Sequence, residues 1–128
     1  MILTSARLLI GLFFSILFLQ SGLDKVFNFQ SNKGYIESVF ENTFLKKNSL
    51  LLFIGITVLE VAAGLLCAGG TLYSLFTGDK MILLLGLQTA AVSLLGLFFG
   101  QRIAKDYAGA AGLVPYFLLA VFGIFLFQ

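Results

Sequence analysis

From Leu50 to Phe76 the chain carries a single charged residue, Glu60, and that stretch restricts the fold more than any other feature of the sequence. A bilayer core is crossed by about 20 mostly apolar residues. The run is longer than one crossing needs, so it must tilt or project beyond the hydrocarbon near residues 73–77. Three further runs resemble it. Leu3 to Leu23 is interrupted only by Arg7 and by uncharged polar side chains such as Ser15, Gln20 and Ser21. Met81 to Gln101 is uncharged, and so is Ala108 to Phe127, which contains Pro115. Nothing near Gln20–Leu23 has the small-x-small pattern of a cleavage site, so the first run reads as a retained span and not a signal peptide.

Composition agrees: 59% of residues are apolar and 11% charged, against about 45–50% and 25% in soluble domains. The sequence therefore predicts an all-α membrane protein, a four-transmembrane-helix up-down bundle in one domain. The spans are expected at about 3–24, 49–76, 81–102 and 107–127. Thr77-Gly78-Asp79-Lys80 and the segment with Arg102, Lys105 and Asp106 are short enough to join antiparallel neighbours. The first connection, about 25–48, is different. Ile36, Phe40 and Phe44 recur every four residues with Val39 beside them, while Lys33, Glu37 and Glu41 mark another face. That pattern predicts an amphipathic helix lying in the membrane interface or capping the bundle.

The first and third connections hold six Lys and Arg residues, and the opposite side holds two, Arg7 and Lys80. The excess of cations on cytoplasmic loops then places both termini on the outer, periplasmic side. Small residues recur at helical spacing in every span, for example Gly11, Ser15 and Gly22 in the first. Close packing of helix backbones accounts for them without any further role.

Several chemistries are excluded or weakened. There is no His, hence no usual zinc or haem ligand and no usual proton shuttle near neutral pH. The single Cys, Cys67, cannot form an internal disulfide or a dithiol pair, and core packing is its expected role. A net charge of +2 with dispersed cations does not suit nucleic-acid binding. No catalytic residue, metal site or intrinsic cofactor is expected.

Glu60 needs an explanation, because a carboxylate at the bilayer centre costs at least about 2.5–3.5 kcal/mol. Counted from Ser49 it lies roughly 16 Å deep. Either it is neutral or hydrogen-bonded and fixes helix register, or it serves a ligand, a proton or a quinone headgroup. Depth counting puts Tyr116, beside Pro115, nearly level with it. Ser15, Gln88 and Ser93, together with Thr89, also fall in the middle third, so these residues are placed to line one polar pocket. For Pro115 itself a plain kink is the expected effect.

Arg7 and Lys25 are five helical turns apart on one face, about 27 Å along the axis, and bracket the membrane. Snorkelling to headgroups is the ordinary role of such residues, and for Lys25 a functional role stands beside it. A direct Arg7–Glu60 bridge stays open, against a gap of about 9 Å in depth and side chains that lean away from each other, each toward its own helix N-terminus. Gln20, Asp24 and Lys25 form a second polar cluster at the opposite edge.

Three segments carry a family resemblance: Ala6 to Phe14, which contains Arg7; Gln20-Ser21-Gly22-Leu23-Asp24-Lys25-Val26-Phe27; and Leu59-Glu60-Val61-Ala62-Ala63-Gly64-Leu65-Leu66. They resemble the DoxX-like family of small four-helix bacterial membrane proteins, related to the MauE proteins of methylamine utilisation. The shared pattern is an Arg opening the first helix, Ser-Gly-x-x-Lys closing it, and Glu followed by Gly in the second. The resemblance implies a multi-pass protein of the bacterial inner membrane. It also implies an accessory role beside a membrane-associated oxidoreductase, with Arg7, Gly22, Lys25 and Glu60 as the residues carried over. The lack of paired cysteines weighs against thiol exchange by this chain alone.

The leading expectation is thus a non-catalytic subunit with membrane lipid around it, a protein partner or a second copy beside it, and a polar pocket at Glu60 for a quinone or lipid. Two alternatives stand: a small proton or solute transporter using Glu60, and a purely structural scaffold.

Overall fold

The computed structural model describes residues 1–127, and among them there are helices and turns but no strand. The helices are α1 (Ile2–Phe27), α2 (Phe29–Val39), α3 (Ser49–Thr77), α4 (Met81–Ile103), α5 (Tyr107–Gly112) and α6 (Val114–Phe125), with a 3₁₀ turn at Lys46–Asn48 leading into α3. Four stretches are long and apolar enough to cross a membrane: Ile2–Phe27, Lys46–Thr77, Met81–Ile103 and Tyr107–Phe125.

The helix ends follow local chemistry. Gly78 stops α3 in the left-handed conformation, φ 80°, and donates its N–H to the Ser74 carbonyl at 2.9 Å. One residue later the Asp79 carboxylate accepts the Met81 N–H at 2.9 Å, so the tight turn hands the chain directly to α4. Asp106 accepts the Gly109 N–H at 3.0 Å and caps α5. The fourth span is not one helix. It breaks at Leu113, whose N–H reaches back only three residues to Ala110, two residues before Pro115 in the first turn of α6.

Two boundaries differ from the sequence reading. Helix α1 runs on to Phe27 and so takes Lys25 out of the expected connecting segment and into the span. The amphipathic helix covers 29–39 and not the whole of 25–48, and the chain then turns before the 3₁₀ segment. The four-residue spacing that tied Phe44 to Ile36 and Phe40 is therefore interrupted. Phe40 is buried, whereas Phe44 is 74% exposed.

Helix α3 is the middle member, packed along α1 on one side and α4 on the other, with α6 mainly against α4. Glycines set these approaches. A Cβ on Gly22 would meet Val61 backbone, and one on Gly64 would lie 2.9 Å from the Leu19 backbone nitrogen. These pairs show that α1 and α3 run antiparallel. A Cβ on Gly70 would lie 2.5 Å from the Leu83 nitrogen, and one on Gly86 2.8 Å from that of Cys67, so α3 and α4 are antiparallel too. Such close backbones maximise van der Waals contact where burial of apolar area no longer distinguishes protein from lipid. Phe14, Phe18, Ala63, Cys67, Leu87 and Ala90 fill the shared core. The outward faces stay apolar, with Leu9, Ile16, Val58, Leu65, Leu95 and Phe122 all exposed, as suits a hydrocarbon surround.

Candidate functional site

Glu60 is completely buried on α3, and its partner is Lys25. The ammonium Nζ lies 3.1 Å from both carboxylate oxygens. Its direction makes a hydrogen bond to Oε2 and leaves Oε1 without a hydrogen-bond donor among the described residues. A further N–H of Lys25 goes to the Ser21 hydroxyl, also at 3.1 Å, one turn earlier on α1.

Helix geometry explains the pairing. Gly22 faces Val61 across the antiparallel contact, so Lys25 sits level with Val58, about half a turn nearer the start of α3 than Glu60. Side chains lean toward the N-terminus of their own helix. Here the two lean toward each other, and four methylenes cover the remaining gap. The same rule that separates Arg7 from Glu60 joins Lys25 to it. Lys25 is thus drawn into the bundle, its side chain 17% exposed, and is not extended toward a headgroup. Two opposite charges in contact avoid the cost of either one alone in an apolar interior.

Arg7 stands at the other end of α1. Its Nε donates to the Leu126 carbonyl at 2.9 Å, its Nη2 donates to the same oxygen, and its guanidinium lies 4.8 Å from the centre of the Phe127 ring. It clasps the end of α6 to the start of α1, where exposed carbonyls welcome a cation.

The other proposed pocket residues do not assemble around the carboxylate. Ser15 donates to the Gly11 carbonyl at 2.7 Å and Ser93 to that of Thr89 at 2.9 Å, each within its own helix. Ser93 is nevertheless fully buried and, by the α3–α4 register, level with Glu60. Tyr116 packs beside Phe13, ring centres 6.0 Å apart, toward the Arg7 end of α1. Equal depth along two helices did not bring its ring to the same side. Gln88 is exposed in a shallow outer depression with Leu59, Thr89 and Val92.

Of the edge cluster, Gln20 and Asp24 face outward, while Gly22 is buried at the α1–α3 contact. Asp24 accepts from Asn28 Nδ2 at 2.9 Å and Asn32 Nδ2 at 3.3 Å, which ties α2 to the end of α1. Asn28 and Asn32 escaped the sequence reading, and Ser21 entered it without a role, in the Ser-Gly-x-x-Lys pattern. Their signal was the four-residue ladder 24, 28, 32 and the pair 21, 25.

Lys25 also forms part of the wall of a cavity of about 460 Å³ between α2, α3 and α4. The wall is mostly apolar, with Ile36, Phe40, Phe53, Ile56, Leu59 and Leu97 prominent. Asn32, Tyr35, Gln101 and Asp106 add polar groups. Phe29 holds α2 over it by packing on Phe53, ring centres 5.2 Å apart. This volume lies within the usual range of roughly 300–1,000 Å³ for ligand pockets. No protein-family model, curated protein or solved structure matches the chain.

Proposed function

We propose that the protein is a DoxX-like accessory subunit of the bacterial inner membrane that holds an amphiphile, a quinone or a lipid, in the cavity beside Lys25 and Glu60, and that it is not catalytic by itself. One observation carries this reading: a buried ion pair flanks an apolar cavity large enough for an acyl or isoprenoid segment. Apolar walls with a few convergent polar groups are the general form of a small-molecule site.

In this reading the four spans form an up-and-down bundle with both termini on the periplasmic side. Helix α2 lies in the interface as the roof of the cavity, and the exposed apolar faces meet lipid and either a protein partner or a second copy. Purification of the full chain in mild detergent together with its native neighbours tests it. A quinone or lipid is expected in the organic extract, with a partner protein or a second copy in the same peak. A stable monomer with no bound amphiphile and no companion would overturn it.

A further inference from the structure

The charges around the cavity define the headgroup it accepts. The charged residues on the wall are Lys25 and Asp106, and Lys25 is bound to the buried carboxylate of Glu60. These three groups sum to one negative charge, so Lys25 does not act there as a free cation. An anionic headgroup beside Lys25 would come close to the fully buried carboxylate of Glu60, where the dielectric is low and like charges repel strongly, and the exposed Asp106 at the rim adds a weaker, screened repulsion. Lys25 still has a hydrogen to give. An ammonium has three donors, of which Ser21 and Glu60 Oε2 take two among the described residues.

Building on the amphiphile-binding reading above, we infer that the cavity selects a neutral, carbonyl-bearing headgroup, whose oxygen accepts the third N–H of Lys25 while its tail lies along Ile36, Ile56 and Leu59. The Lys25–Glu60 pair is then a selectivity device: the lysine supplies the donor, and the glutamate cancels the charge that would otherwise draw in anionic lipid. A ring carbonyl of a quinone and the ester carbonyl of an uncharged acylglycerol share this chemistry.

Native mass spectrometry of the full chain in detergent tests the inference with three probes: a short-chain benzoquinone, 1-monooleoylglycerol, and oleate at a pH where it is ionised. At least one neutral probe is expected to bind about tenfold or more tightly than oleate, the effect of one hydrogen bond together with charge repulsion. Which of the two binds identifies the source of the carbonyl. Glu60→Gln should reverse the order by leaving Lys25 uncompensated, so that oleate becomes the tighter probe.

Lys25→Met combined with Glu60→Leu removes the pair without stranding a charge, and should weaken the neutral probe about tenfold. Lys33→Met, outside the cavity, should change nothing. Oleate bound by the unaltered chain as well as the neutral probes, or a neutral probe held equally by the double variant, overturns the headgroup assignment while leaving an amphiphile site in place. Binding of none of the three overturns the site itself.

Discussion

Lys25 and Glu60 depend on each other more than on anything else around them. Lys25→Met would strand a fully buried carboxylate, and the cost of breaking such a pair is about 3–5 kcal/mol. Replacing both partners, by Met at 25 and Leu at 60, should restore most of that loss, because paired charges are often no better than well-packed apolar groups. Helicity followed through a denaturing-detergent titration checks both outcomes; a single variant as stable as the parent would contradict the pairing. Arg7 makes a separate case. Arg7→Leu removes two donors from the Leu126 carbonyl, a loss of about 1.5–3 kcal/mol for hydrogen bonds to a charged group. It should appear locally, as faster amide exchange from Gly123 to Phe127, with little change at α3.

Among the helices, the α1–α3 and α3–α4 contacts are set by backbone proximity, so the tolerance of glycines should follow geometry and not helix propensity. Gly64→Leu has no room beside Leu19 and should separate α1 from α3, whereas a Cβ at Gly69 meets nothing within 4 Å. Gly69→Ala should raise stability by up to about 1 kcal/mol through propensity alone. Unfolding midpoints of the two variants in one detergent give the comparison. The spans themselves were legible to within a few residues, because apolar length is a property of each segment taken separately. The site was legible only in part. Glu60 stood out by its charge, but its partner depended on how far α1 extends and on which way its last side chains lean. Tyr116 and Gln88 were placed by depth alone, and depth does not say which side of a helix faces inward. The cavity left no linear signal at all, since its wall is drawn from α1, α2, α3 and α4 at once.

For the whole molecule, the distribution of Lys and Arg predicts Ser5 and Lys80 on one side of the membrane, with Lys47 and Arg102 on the other. Cys67 is buried, so single cysteines at these four positions can be probed with a membrane-impermeant maleimide in intact cells. Labelling of the first pair alone is expected. Labelling of the second pair alone would invert the topology, and a mixed result would contradict four antiparallel crossings. The central place of α3 also orders biosynthesis. Helix α1 leaves the ribosome before its packing partner exists, and spans that insert separately associate afterwards. During that interval Lys25 has no Glu60 to meet, and a lone lysine near a helix end extends to the headgroups. Arrival of α3 then draws the ammonium inward, so burial of this one side chain marks the moment at which two inserted helices become a folded pair.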